Sequence, residues 1–146
     1  MKTNFQKVAH FNTCIGNSKG NLATPNWNEA YRQAGLVDEE FNELMDELEA
    51  QNIQKVRKEL CDLLVTAYGL AHVLGIDIDA DMEEVNQSNL SKLCSTPEEA
   101  RATLEKYQHI GLSVSLRGDF PEVAVISEAD WHGTDGKFYP KGKALK

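Results

Sequence analysis

The chain has 146 residues, of which 41% are hydrophobic and 26% charged, and its formal net charge is −8. That length suits one domain over residues 1–146, and a core of this size needs no disulfide or metal to hold it together. No apolar run approaches the ~20 residues that span a bilayer, and the N-terminus lacks the apolar stretch of a secretion signal. The acidic balance argues against a nucleic-acid groove, which needs a basic face. We therefore expect neither a membrane nor a nucleic acid among the partners.

The three cysteines, Cys14, Cys61 and Cys94, are widely spaced and form no Cys-x-x-Cys pair. A disulfide framework and a zinc knuckle both require closer and more numerous cysteines. We expect reduced thiols and a cytoplasmic location.

The first two thirds of the chain predict helices. Asn26 is typical of an N-cap and Gly75 of a helix end, and Gln51-Asn52 interrupts the long apolar pattern between them. A proline at the first helical position, Pro97, opens a further helix. The predicted helices run from about Phe5 to Phe11, Asn26 to Ala50, Ile53 to Leu74, Asp79 to Leu93 and Pro97 to His109.

The last third of the chain changes its pattern. Residues 112–116 and 122–126 alternate or run apolar with Gly118 and Pro121 between them, which predicts a β-hairpin over about residues 112–126. The lysine-rich tail, about residues 133–146, predicts a loop or extended arm. The fold class is therefore all-α, an antiparallel helical bundle with a β-hairpin inserted near its C-terminus.

Acidic residues lie on the apolar stripe of the first long helix. At 100° per residue, Glu43 and Glu47 fall within about 60° of Glu40, and Leu36 and Leu44 fall within about 40° of it. A surface helix normally separates the two classes of residue. This helix does not.

The second long helix repeats the anomaly. Residues 60–76 are apolar nearly all the way round, which predicts a buried helix, and their only formal charge is Asp62, about 60° from Glu59. Buried carboxylates need a paired charge or a metal. Residues 60–76 contain no lysine or arginine to provide the pair.

The two helices should bring these acids to one level. Two helices joined by a short break pack antiparallel, and Glu43 and Glu59 each lie eight residues from Gln51. Glu40 and Asp62 join them to make four carboxylates, whose contacts at ~4 Å would each cost about 4 kcal/mol at an effective dielectric of 20. A cation removes that cost, and oxygen ligands favour Mg²⁺, with Mn²⁺ as a substitute.

Two other interpretations use the same acids. A ferritin-like di-iron site needs Glu-x-x-His on its helices, and the chain contains no such pair. A non-catalytic helical interaction module with an acidic face explains the net charge, but it does not explain acids among leucines.

The spacing of the acids resembles that of a known family. Glu39-Glu40-Phe41-Asn42-Glu43, then fifteen residues, then Glu59-Leu60-Cys61-Asp62, resembles the signature of the MazG-like all-α nucleoside triphosphate pyrophosphohydrolases. Val85–Leu93 is similar to the family's Ser-Asn-x-Ser-Lys helix, with Asn86 where phage-type members often have histidine. Asp135-Gly136-Lys137, with Lys141 just after, resembles the Asp-Gly-Lys tail of phage-type members. The similarity covers about residues 11–141, and the hairpin interrupts it as an insertion.

The resemblance implies Mg²⁺-dependent hydrolysis of a nucleoside triphosphate, a dNTP in particular, to the monophosphate and pyrophosphate. Phosphoribosyl-ATP or dUTP hydrolysis within the superfamily stays open. A phage-encoded member would work in the host cytoplasm. The metal ligands implied are Glu40, Glu43, Glu59 and Asp62. Glu39 would be a further ligand or the base that activates water. The residues implied to contact the triphosphate are Asn89, Lys92, Lys137 and Lys141.

Base recognition and assembly lie outside the acid cluster. Asn12 is a candidate for hydrogen bonds to the base edge and Trp27 for stacking, although both residue types also serve structural roles. The apolar circumference of residues 60–76 exceeds what the neighbouring helices can cover. We expect a homodimer or homotetramer whose second chain completes the bundle.

Overall fold

The computed structural model describes residues 1–146 and contains five helices followed by five short strands. The helices are α1 Asn4–Cys14, α2 Trp27–Glu49, α3 Ile53–Leu74, α4 Ile78–Leu90 and α5 Pro97–His109. The strands are β1 Val114–Arg117, β2 Ala124–Ser127, β3 Trp131–His132, β4 Phe138–Tyr139 and β5 Ala144–Leu145. The chain divides into two compact units, an N-terminal unit Met1–Met82 and a C-terminal unit Glu83–Lys146. The expectation of one domain over residues 1–146 stays a prediction.

Local capping sets the two long helices of the N-terminal unit. The side chain of Asn26 accepts a hydrogen bond from the backbone N–H of Glu29, and that of Asn52 accepts one from Lys55. Each bond satisfies an N–H that the first turn of a helix leaves free. Gly75 ends α3 with φ of 76°, a left-handed conformation that favours glycine. The predicted bounds of these helices agree with the structure to within about a residue at each end.

α2 and α3 pack antiparallel, and α1 packs against α3. Near the turn, Lys55 Nζ donates to Glu47 Oε1 at 2.9 Å, and far from it Gln33 Nε2 donates to the carbonyl of Thr66 at 3.3 Å. Residues at equal or nearly equal distances from the turn therefore meet, which agrees with the register that the sequence predicted.

One face of α3 is not buried, contrary to the prediction for residues 60–76. Leu60, Leu64 and Val65 are 48%, 50% and 40% exposed, because α1 and α2 cover only part of the helix surface. None of the five helices combines the length and the apolar composition of a membrane span. α3 and α4 reach that length and composition together, but they are bent by 113° at the break between them.

The C-terminal unit confirms the hairpin and corrects the tail. β1 pairs antiparallel with β2, with Val114 opposite Ser127 and Arg117 opposite Ala124. The tail is not a simple loop, because β5 adds to β2 as a third strand and β4 pairs with β3. Leu145 of β5 is buried in a core that also contains Cys94. α4 stops at Leu90 rather than at the predicted Leu93.

Candidate active site

Three of the four predicted acids converge in the N-terminal unit. Glu40 and Glu43 of α2 and Glu59 of α3 each present a carboxylate oxygen, and these oxygens lie within 4.8 Å of one another. Glu59 is buried, Glu40 is half-buried and Glu43 is exposed. The antiparallel register of α2 and α3 places them there.

The fourth acid, Asp62, lies outside this group of three and has a basic partner. Lys58 Nζ donates to Asp62 Oδ2 at 2.7 Å and to the two carboxylate oxygens of Glu59 at 3.1 and 3.2 Å. Residues 60–76 contain no lysine or arginine, as the sequence shows, but Lys58 lies just outside that stretch, four residues before Asp62. The two acids of α3 therefore have a basic partner that the pattern of residues 60–76 does not show.

The electrostatics of Glu40 reflect this crowding. Burial raises the pKa of Glu40 above its ordinary value, and the nearby carboxylates raise that pKa further. These carboxylates are, in order of effect, those of Asp62, Glu43 and Glu59. Lys58 acts in the opposite direction. Negative charge in the cluster thus exceeds what the single ammonium offsets.

The residues present fit a hard divalent cation. All the converging donors are carboxylate oxygens, which suit Mg²⁺ or Mn²⁺. Glu40 and Glu43 take part in none of the ion pairs of the structure. The α2 side of the cluster therefore carries negative charge that no direct ion pair offsets.

The two residues predicted to contact the base have different environments. Asn12 is buried, and both ends of its amide are used, since Nδ2 donates to the carbonyl of Val8 and Oδ1 accepts from Asn17. Trp27 is 62% exposed and lines an apolar cleft of about 210 Å³ with Tyr31. Trp27 is therefore accessible for stacking, whereas Asn12 ties α1 to the loop that follows it.

Sequence reasoning missed a buried amide on the same stripe as the acids. Gln33 lies two turns before Glu40 on α2 and is only 3% exposed. Its Nε2 faces the carbonyl of Thr66, and its Oε1 has no hydrogen-bond partner. A Cβ on Gly69 would lie 2.4 Å from Gln33 Nε2, so the glycine makes room for the amide. The seven-residue spacing from Glu40 was the signal available in the sequence.

The C-terminal unit brings two of the predicted lysines together. Lys92 and Lys137 line one cavity of about 300 Å³, whose other lysines are Lys143 and Lys146. Lys92 Nζ donates to Asn89 Oδ1 at 2.8 Å, so the two predicted residues of the Ser-Asn-x-Ser-Lys segment contact each other. Lys141 is exposed and does not line this cavity.

The Asp-Gly-Lys segment forms a turn held by its own aspartate. Asp135 accepts a hydrogen bond from the Lys137 N–H at 3.1 Å and one from the Tyr139 hydroxyl at 2.6 Å. The bond to Asp135 raises the pKa of Tyr139 to about 12. Gly136 has φ of 78°, as the tight turn requires. This arrangement fixes the backbone from which Lys137 projects.

Comparison with known proteins identifies the N-terminal part of the chain. Residues 8–89 match the model of the phosphoribosyl-ATP pyrophosphohydrolase family. The chain belongs to this family. The match confirms the resemblance to the MazG-like all-α pyrophosphohydrolases, and members of that group hydrolyse nucleotides and generally use a divalent metal. The matched residues 8–89 of this chain include the whole acid cluster of Glu40, Glu43 and Glu59.

A viral protein shares part of this sequence. A protein of uncharacterised function from Acanthamoeba polyphaga mimivirus is 30% identical over 88 residues, which make up 60% of this chain. The match covers 35% of the viral protein, so the chain spans about a third of the relative's length.

Proposed function

We propose that the protein hydrolyses a nucleoside triphosphate, a dNTP in particular, to the monophosphate and pyrophosphate, with Mg²⁺ as cofactor and Mn²⁺ as its substitute. One observation carries the proposal: Glu40, Glu43 and Glu59 converge from two helices in a chain of a pyrophosphohydrolase family. The assignment of the substrate and of the metal rests on the chemistry of these residues.

Glu40, Glu43 and Glu59 would hold the cation, with Asp62 as a fourth ligand. When bound, Mg²⁺ neutralises phosphate oxygens and lowers the pKa of a coordinated water. The carboxylates supply the negative charge that the cation requires, and the packing of α2 against α3 sets their spacing.

Glu39 is the proposed general base. It is exposed, lies in the same turn of α2 as Glu40 and takes part in no ion pair of the structure. Its carboxylate is therefore available to accept a proton from water. The oxygen of that water forms a bond to the α-phosphorus, and the bond from that phosphorus to the bridging oxygen breaks. Pyrophosphate leaves with the bridging oxygen.

Lysines and an aromatic residue would bind the rest of the substrate. A triphosphate carries about four negative charges, which a chain of net charge −8 accepts through cations and lysines. We propose phosphate contacts from Asn89, Lys92, Lys137 and Lys141. Trp27, beside Tyr31, would stack on the base. Asn12 would read the base edge only after releasing Asn17 Nδ2 from its side-chain oxygen.

Phosphoribosyl-ATP is a second candidate substrate, which the description of the matching family favours. Its hydrolysis would use the same carboxylates and would also release pyrophosphate. dUTP is a third candidate, left open by the sequence.

A substrate panel separates these candidates. The purified protein is assayed for pyrophosphate release from each NTP, each dNTP including dUTP, and phosphoribosyl-ATP, with Mg²⁺, with Mn²⁺ and with excess EDTA. We expect the largest kcat/KM for a dNTP and no turnover in EDTA. Preference for phosphoribosyl-ATP would replace the dNTP assignment. No turnover on any compound would favour the non-catalytic interaction module.

A further inference from the structure

One lysine makes direct ion pairs with an acid of the cluster and with the neighbouring Asp62. Lys58 Nζ lies 2.7 Å from Asp62 Oδ2 and 3.1 Å from Glu59 Oε1. Glu59 belongs to the convergent group of three, and its side chain is only 8% exposed. The ammonium therefore lies at the mouth of the cluster, on oxygens that a cation would also need.

The pairing is unequal across the cluster. Glu59 and Asp62 on α3 share the single ammonium of Lys58, whereas Glu40 and Glu43 on α2 take part in no ion pair. The Lys58 side chain is itself 66% exposed, so it can leave the carboxylates for solvent without disturbing the core. A divalent cation among the same oxygens would repel the ammonium, because like charges repel more strongly the closer they are.

We propose that Lys58 is a tethered counter-ion that competes with the divalent cation for Glu59 and Asp62. In the cation-free protein its ammonium offsets the repulsion among the carboxylates. When the cation binds, the ammonium moves away from them. This inference rests on the proposed function, since it requires that the cluster binds a divalent cation.

The chain offers a matched control for this proposal. Lys55 lies three residues before Lys58 on α3, is similarly exposed at 60%, and pairs with Glu47 at 2.9 Å, outside the group of three. Removing either lysine changes the net charge by the same amount. Only removal of Lys58 frees the oxygens of Glu59 and Asp62.

The test compares Lys58→Met, Lys55→Met and the wild-type protein without nucleotide. Mn²⁺ binding is measured by calorimetry, and thermal melts are recorded in EDTA and in saturating Mg²⁺. Exposed ion pairs contribute modestly, so we expect Lys58→Met to bind Mn²⁺ about two- to fivefold more tightly than wild type. It should melt at a lower temperature than Lys55→Met in EDTA and gain more from Mg²⁺. Lys58→Arg, which keeps the charge, should restore wild-type behaviour.

Each other outcome has a defined meaning. Equal Mn²⁺ affinity in the two methionine variants would show that only long-range charge matters, and it would overturn the proposal. Weaker binding by Lys58→Met would make the lysine a support of the site and would also overturn it. If the wild-type protein binds no Mn²⁺, the proposed function fails together with this inference. If the wild-type protein binds Mn²⁺ and Lys58→Met binds it with the same affinity, this inference fails and the proposed function stands. If Lys58→Met does not fold, the Mn²⁺ affinities of Lys58→Gln and Lys58→Arg are compared instead. Tighter binding by Lys58→Gln would support the proposal, and equal binding would overturn it.

Discussion

Glu40 is a carboxylate held close to other carboxylates at the interface between α2 and α3. It is half-buried among like charges, and burial is the main cause of its raised pKa. Glutamine at this position would keep the shape of the side chain and remove the repulsion. The cost of the charge in the cation-free protein is therefore measurable.

Glu40→Gln should stabilise the cation-free protein by about 1 kcal/mol and should reduce the stabilisation that Mg²⁺ provides. The raised pKa also predicts a pH dependence of the free energy of unfolding. The stabilisation from protonated Glu40 is fully present below the pKa of the unfolded chain, near 4.5, and is lost as the pH rises through the higher pKa of the folded protein. The wild-type protein in EDTA should show this loss, and Glu40→Gln should lack it. Denaturant unfolding from pH 4 to pH 8 measures both, with Glu47→Gln as control. A less stable Glu40→Gln in EDTA would contradict the account of the cluster.

Glu39→Gln separates the base from the ligands. The variant should lower kcat about 10²- to 10⁴-fold, as expected for loss of a general base. Its Mn²⁺ affinity should stay near wild type, since Glu39 lies outside the group of three acids. Steady-state kinetics and Mn²⁺ titration measure the two effects. Loss of Mn²⁺ binding in this variant would instead make Glu39 a ligand.

At the scale of residues, the sequence predicts the acids better than their partners. Glu40, Glu43 and Glu59 follow from helical periodicity and from equal distances to the turn. Lys58 lies outside the apolar stretch that suggested burial, so a search confined to that stretch could not find it. The orphaned oxygen of Gln33 depends on packing between helices, which periodicity does not describe.

At the scale of elements, the packing interface between α2 and α3 positions the acid cluster. Gly69 lets Gln33 fit between these helices, since a Cβ there would lie 2.4 Å from Nε2. Gly35 on α2 has nothing within 4 Å of an added Cβ. The two helical glycines thus have opposite environments.

Gly69→Ala should destabilise the protein by about 1–3 kcal/mol, because the methyl group displaces a buried amide. Gly35→Ala should stabilise it by about 0.5–1 kcal/mol through helix propensity alone. Urea unfolding of both variants gives the comparison. Equal effects of the two substitutions on the free energy of unfolding would show that the interface between α2 and α3 is not tightly packed at Gly69.

The helices were predictable and the short strands were not. N-caps such as Asn26 and Asn52 and the terminal Gly75 act locally, so the sequence shows where α2 and α3 begin and end. The hairpin of β1 and β2 has a local turn and a visible apolar pattern. β4 and β5 have two residues each, too few for a period, and β5 pairs with a strand some twenty residues earlier.

At the scale of the whole molecule, exposed apolar side chains remain on the long helices. Phe41 and Leu48 of α2 are 48% exposed, as is Leu60 of α3, and Leu64 is 50% exposed. Such side chains often mark an interface between protein chains. The homodimer or homotetramer stays a proposal, as does the cytoplasmic location.

Sedimentation equilibrium at micromolar concentration should give at least twice the chain mass of 16.3 kDa. Leu64→Glu should shift the distribution towards the monomer, because it places a charge on the apolar face. Ala67→Glu, another exposed position of α3, shows whether any charge on this helix has the same effect. A single 16.3 kDa species for the wild-type protein would refute the assembly.

We propose that the carboxylate cluster supports cleavage of a triphosphate between the α- and β-phosphates. ³¹P NMR of the reaction with Mg²⁺ and the preferred triphosphate tests this cleavage, because it shows every phosphorus product at once. We expect monophosphate and pyrophosphate in equal amounts from the first turnovers, no orthophosphate, and loss of both products in Glu43→Gln. Orthophosphate with a nucleoside diphosphate as the first products, or unchanged turnover in Glu43→Gln, would contradict it.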